Sequence, residues 1–298
     1  MRVIRQQQLA WFLGATLCLV TGCSTFKLSS QTLSEPSGLA ASSHHADVFW
    51  THDDSGGNPE IFAVNRVGEV LGVFKVEGAE ANDWEAIATD RKGRLYIGDF
   101  GNNRNKRRDL VIYQVQEPSV KPGENPIQGT TKVERTVRFL YPEQTKFPDK
   151  KQKNFDAEAL FWDKGSLYLL TKHRSDMSTT LYTVPIQESG KPLPAQKLGV
   201  FDVGGDPDNF GGRVTGADLS ADGRYLAVLT YHAIFIFERP AQGMNFFTNL
   251  KNRIALNQDV CGQVEGIAWD GEALIFNNED AEVFRVTQPH LARDETFP

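Results

Sequence analysis

The chain of 298 residues has only three cysteines, at positions 18, 23 and 261, and three methionines. Cysteine is too sparse for a disulfide framework, so the fold must be held by its core, which a chain of this length can build. Past residue 20 no window approaches the ~18 consecutive apolar residues of a membrane-spanning helix. Positive charge is also in deficit: the formal net charge is −6 and the isoelectric point about 5.6. An overall basic field suited to nucleic acid is excluded, and no motif for nucleic-acid binding or a redox cofactor is found.

What is present begins at the N-terminus. Met1-Arg2-Val3-Ile4-Arg5, the apolar run Leu9 to Val20 and the small residues after it read as a secretory signal peptide. Val20-Thr21-Gly22-Cys23 resembles the bacterial lipobox, which implies cleavage before Cys23 and lipidation of that cysteine. The expected organisation is a signal peptide over 1–22 and a single domain over 23–298, anchored to the cell envelope through lipidated Cys23. With Ser24 following, the anchor is expected in the outer membrane, facing the periplasm, if the host is Gram-negative. Losing residues 1–22, with Arg2 and Arg5, leaves 276 residues of formal charge −8 and Cys261 as the one cysteine without lipid, so no intramolecular disulfide is expected.

A short unit recurs: an acidic or hydroxyl residue, then Gly or Ala, then mostly apolar residues. It stands at Ser37-Gly38-Leu39-Ala40, Glu85-Ala86-Ile87-Ala88, Glu158-Ala159-Leu160-Phe161, Thr215-Gly216-Ala217-Asp218 and Glu265-Gly266-Ile267-Ala268. The intervals are 48, 73, 57 and 50 residues. Each unit is followed by a turn and a second β-rich segment, then a third, as in Ser166 to Leu170 and Leu181 to Val184. Fourth segments follow at Val70 to Phe74, Val133 to Leu140 and Lys197 to Phe201. A repeated set of short antiparallel strands predicts an all-β fold, a β-propeller, whose radial repetition protects sheet edges. Five blades are expected, with a sixth as the alternative if the 73-residue interval holds one. The last set stops at three strands, and Phe26 to Leu33 is free to supply its fourth and close the ring.

In a propeller the first strand of each blade lines the axis. The repeat therefore predicts that Glu85, Glu158 and Glu265 converge with Ser37 and Thr215. Carboxylates crowded together need a cation or must rise in pKa; oxygen ligands suit a hard divalent cation such as calcium. A hydrogen-bonded plug is the competing reading. A second ring is expected at the ends of the second strands: His52 and Asp53, Asp99, Lys172 and His173, Tyr231 and His232, Asn278 and Glu279. From it Asp53, Lys172 and Tyr231 are candidates for holding a ligand, and Asp99 or His173 for a catalytic base. Arg104, Lys106, Arg107 and Arg108, with Lys146, Lys150, Lys151 and Lys153, would form a basic patch if their loops are neighbours.

Ser37-Gly38-Leu39, Asp53-Asp54-Ser55-Gly56-Gly57, Asp83-Trp84-Glu85-Ala86-Ile87, Gly98-Asp99-Phe100-Gly101-Asn102-Asn103 and Glu265-Gly266-Ile267 together resemble exported bacterial propellers of the phytase-like and gluconolactonase-like kind. The resemblance implies a calcium-dependent hydrolase of a lactone or phosphoester, with Glu85, Asp99, Glu158, Glu265 and Asn278 as the ligand-like residues. This sequence departs from that pattern in placing Ser37 and Thr215 where acids would stand and in adding the positive charge of Lys172. The functional expectation is an envelope propeller that binds a divalent cation and a small anionic ligand and hydrolyses an ester, lactone or phosphoester in a metal-dependent reaction. A non-catalytic scaffold that docks envelope proteins is the alternative, and a monomer without nucleic acid is expected in either case.

Overall fold

The computed structural model describes residues 26–27, 33–54, 57–120, 126–205, 212–290 and 296–297; Cys23 and the expected signal peptide lie outside them. Strand β1 is Phe26–Lys27. The next four are β2 (Pro36–Ala41), β3 (Val48–Asp53), β4 (Glu60–Asn65) and β5 (Val70–Glu77). They are followed by β6 (Trp84–Thr89), β7 (Arg94–Asp99), β8 (Val111–Gln116) and β9 (Ile127–Leu140). A third set is β10 (Ala157–Asp163), β11 (Ser166–Thr171), β12 (Ser178–Pro185) and β14 (Gln196–Asp202), with the two-residue β13 (Leu193–Pro194) before its last member. Then come β15 (Val214–Leu219), β16 (Tyr225–Thr230), β17 (Ala233–Glu238) and β18 (Leu250–Leu256), and finally β19 (Val264–Asp270), β20 (Ala273–Asn278), β21 (Glu282–Thr287) and β22 (Thr296–Phe297). The only α-helix among the described residues is the single turn Gln258–Cys261, and among those residues no helix is long and apolar enough to cross a membrane.

Within each set the strands pair antiparallel in chain order, except the two-residue β13 and β22, which pair parallel with β9 and β18 of other sets. The last set is completed by β1, which pairs with β21 through Phe26↔Val283 and Lys27↔Glu282. The first strands of the sets, β2, β6, β10, β15 and β19, each pack against the next, and β19 packs against β2, so these strands close a ring. Such radially packed sheets make a β-propeller. The 73-residue interval contains no additional sheet among the described residues. Its length goes into β9, whose first half pairs parallel with β5 while its second half pairs antiparallel with β8, and into the loop from 141 to 156.

The core is divided by the sheets. Successive side chains of a strand point to opposite faces, and here both faces are covered: Phe49 joins Phe62, Ala268 and Ile275 between the last and first sets, while Trp50 joins Ile61, Ile87 and Ile97 between the first and second. The remaining gaps are filled by clusters around Phe139 and Leu160, Phe161 and Phe237, and Ile236 and Phe276. This explains why segments such as Ser166-Leu167-Tyr168-Leu169-Leu170 read as continuous apolar runs rather than alternating ones.

Packing the inner strands so closely also explains the repeat. In β6, β10, β15 and β19 the register skips one residue at Glu85, Glu158, Thr215 and Glu265, a β-bulge that leaves this residue outside the ladder and re-aims its side chain. In β2 the irregularity falls just after Ser37. The small residue that follows is needed because the neighbouring inner strand lies against it. A Cβ on Gly266 would stand 2.4 Å from Oδ1 of Asn277 and 2.7 Å from the carbonyl carbon of Gly38.

Candidate functional site

The bulged carboxylates open onto one cavity of about 190 Å³ at the end of the ring where the second strands finish. Three positions in the repeat supply its walls. The bulged residue gives Glu85, Glu158 and Glu265; the residue two places earlier, on the same face by the two-residue period, gives Asp83, Arg213 and Gln263; and the residue just past the second strand gives Asp54, Lys172, Tyr231 and Glu279. Arg174 and Asn103 complete the lining. Six carboxylates thus face three basic groups.

The charges are unevenly satisfied. Oε2 of Glu158 lies 3.1 Å from the ammonium of Lys172. Arg174 reaches Glu158 at 3.6 Å and donates from Nε to Oδ2 of Asp156 at 2.7 Å. The backbone N–H of Asn102 donates to the other oxygen of Asp156 at 2.5 Å. On the opposite wall Oε1 of Glu265 accepts from the Tyr231 hydroxyl at 3.1 Å and from the Gln263 amide at 3.2 Å, while Gln263 also contacts Glu279. Glu85 differs. Among the described residues no hydrogen-bond donor or ion-pair partner reaches its carboxylate, although it is buried, and the same holds for the carboxylate of Asp83.

Burial pushes the Glu85 carboxyl well above the usual range, with the negative charge of Glu158 adding to the effect. Glu158 is likewise raised well above it by burial, against the opposing pull of Lys172. For Lys172 burial acts to lower the pKa, but Glu158, Tyr231 and Glu265 outweigh it and hold the ammonium charged. Burial raises Glu265 to about 7 and, together with Asp156, raises Asp83 to about 6.

Oxygens of Glu85, Asp156 and Glu158 lie within 4.8 Å of one another, as do those of Asp54, Asp83 and Glu85. Glu85 belongs to both groups. A donor set made only of carboxylates fits a hard divalent cation of the calcium type, and its shared member, the buried Glu85, lacks the donors that buried carboxylates ordinarily recruit, with half-buried Asp83 beside it. The backbone makes room for them: a Cβ on Gly101 would fall 2.2 Å from Oε1 of Glu85 and 2.5 Å from Oδ2 of Asp83.

Of the residues singled out by sequence, Glu85, Glu158, Glu265, Lys172 and Tyr231 share this cavity; Asp53, Asp99, His173 and Asn278 lie outside its lining. The strand-end position holds the chain rather than the ligand. Asp53 accepts the N–H groups of Ser34 and Glu35, Asp99 that of Asp83, and Asn278 bonds the carbonyl of Cys261 and the backbone and side chain of Glu282. Asp99 is fully buried and paired with Arg107 at 2.9 Å. His173 faces a separate cavity of about 270 Å³, its Nδ1 2.6 Å from Asp176 and its Nε2 3.0 Å from the Thr180 hydroxyl. Asp156, Arg174, Arg213 and Gln263 were missed. Asp156, Arg213 and Gln263 precede the bulged residue by two, a spacing visible in the sequence as Asp156-Ala157-Glu158 and Gln263-Val264-Glu265.

No family model matches the chain, and no curated protein does. Among solved structures, a PQQ-bound aldose sugar dehydrogenase from Streptomyces coelicolor aligns with a TM-score of 0.49 at 11% identity, covering 89% of this chain and 98% of that one. Proteins assigned as 6-phosphogluconolactonases from Bacteroides uniformis and Bacteroides fragilis align with TM-scores of 0.40 and 0.39 at 13% and 15% identity. The first pair covers 84% of this chain and 66% of the other, the second 87% and 72%. At such values neither an activity nor a cofactor passes from one protein to another.

Proposed function

We propose that this protein is a five-bladed propeller of the cell envelope, held by lipid on Cys23, that binds a divalent cation and a small anionic ligand in its axial cavity and hydrolyses an ester, lactone or phosphoester there. The observation that carries the reading is Glu85: a buried carboxylate with no partner among the described residues, common to two groups of oxygen ligands. Asp54, Asp83, Glu85, Asp156 and Glu158 would hold the cation. When bound, it would polarise a substrate oxygen and acidify a water.

The chain's own groups divide the remaining work. Lys172, Arg174 and Arg213 give the wall positive charge for an anionic ligand. Glu265, titrating near neutrality and hydrogen-bonded to Tyr231, is suited to carry a proton. Asp99 and His173 face elsewhere, so the role expected of them passes to Glu265. The exposed large apolar residues, such as Val67, Met244 and Val260, do not line the cavity, which favours a ligand site over an apolar docking rim.

Calcium titration by calorimetry and thermal melting tests the reading. Binding that raises Tm and disappears in Glu85→Gln supports it, and is followed by screening small lactones and phosphoesters. A melting curve unmoved by calcium or chelator sinks the cation site. Release of Cys23→Ser from the membrane fraction tests the anchor.

A further inference from the structure

The two basic runs, Arg104 to Arg108 and Lys146 to Lys153, meet in space. The Gln144 amide donates to the carbonyl of Asn105 at 3.0 Å, Oδ1 of Asn105 accepts the N–H of Phe155 at 3.0 Å, and the guanidinium of Arg108 lies 3.7 Å from the ring centroid of Phe147. Arg104, Lys106 and Arg108 on one loop, and Lys146, Lys150, Lys151 and Lys153 on the other, are all exposed. Not one of these seven makes an ion pair among the described residues. Of the acids in these loops, Asp109 pairs with Arg107 and Glu143 lines the cavity beside His173, while Asp149, which accepts the backbone N–H groups of Lys151 and Gln152, keeps a negative charge that Lys146 and Lys151 feel; the seven cations still outnumber it. On a chain of net charge −6 this is a concentrated patch of opposite sign. It adjoins the axial cavity, because Asn103, in the first loop, is part of the cavity wall.

We propose that this patch is a docking surface for an extended anionic polysaccharide. The cations are spread along two surface loops rather than gathered around a point, which matches charges repeated along a chain better than one small anion. No exposed large apolar residue lies in either loop to enter a bilayer. The patch needs only an anionic polymer; that the end of the polymer reaches the cavity rests on the ligand reading given above.

The test uses the chain from Ser24 onward, which keeps every described element, with oligogalacturonates of increasing length as the probe. Affinity rises with oligomer length, falls with salt, and weakens about tenfold or more, 1.4 kcal/mol, in Lys106→Gln/Arg108→Gln/Lys150→Gln/Lys153→Gln. Glu85→Gln, which removes the cation site, leaves the salt-sensitive binding of long oligomers in place, so the two readings fail separately. Binding independent of length, equal binding by the quadruple variant, or tighter binding to duplex DNA or phosphatidylglycerol vesicles overturns the proposal.

Discussion

The ammonium of Lys172 and the carboxylate of Glu158 lie 3.1 Å apart with both side chains buried, one at the end of a second strand and the other on the bulge of the neighbouring first strand. Each charge is tolerable only beside the other. Lys172→Met therefore leaves a buried acid supported by Arg174 alone and is expected to cost about 3–5 kcal/mol. Lys172→Met combined with Glu158→Gln recovers most of that loss. Urea unfolding in chelator measures both, and a single variant no worse than the double contradicts the coupling.

Stability should fall between acid and neutral pH. Glu265 rises from an ordinary 4.5 to about 7 in the fold, so between those values the folded state holds a proton the unfolded state has lost. That contribution is complete below pH 4.5 and is lost as pH rises through 7; its upper size is about 3 kcal/mol. Asp83, raised to about 6, acts in the same direction. Glu265→Gln should flatten the decline in Tm from pH 5 to pH 8 measured in chelator, and an unchanged slope would count against it.

Gly266→Ala tests the ring itself. The added methyl meets Asn277 and the backbone of Gly38, neither of which can retreat without opening the packing of β19 on β2. A loss of about 1–3 kcal/mol is expected, as for overpacked cores. Gly190→Ala, whose new Cβ would meet nothing within 4 Å, is the control.

Gly101→Ala places a methyl against the carboxylates of Glu85 and Asp83. Calcium affinity should drop about tenfold or more, a loss of at least 1.4 kcal/mol, while the melting temperature in chelator changes much less. Equal calcium binding by this variant would show that the cation does not sit between those two carboxylates.

Strand positions were legible because two signals coincide in every set: apolar runs of strand length and glycine-bearing turns such as Asp163-Lys164-Gly165. β18 escaped because Leu250-Lys251-Asn252-Arg253-Ile254 mixes charged and apolar residues, with Leu250, Lys251 and Arg253 exposed on a strand bordered on its outer side only at Ala255 and Leu256, by the two-residue β22. β9 was read at only half its length, since Ile127 to Lys132 is polar and finds its partner in β5 of the preceding set. The convergence of Glu85, Glu158 and Glu265 followed from the repeat alone. At the second ring the reading of Asp53 was displaced by one residue, since Asp54 faces the cavity instead, and of the expected pair Asn278 and Glu279 only Glu279 lines it. A one-residue step reverses the face of a strand, and sequence does not show where each strand releases its last side chain. Nor does it reveal that Phe100, at the matching position after β7, turns into the core.

The pairing of β1 with β21 joins residues more than 250 positions apart. Closing so long a loop is entropically slow, so the antiparallel hairpins of the other four sets can assemble locally while this set waits for both ends of the chain. The seam between β19 and β2 should then be the last part to form and the first to exchange its amide protons. A circular permutant that links β1 to β21 covalently and opens the connection between β14 and β15 would move that weak point to another side of the wheel without altering a single residue of the cavity.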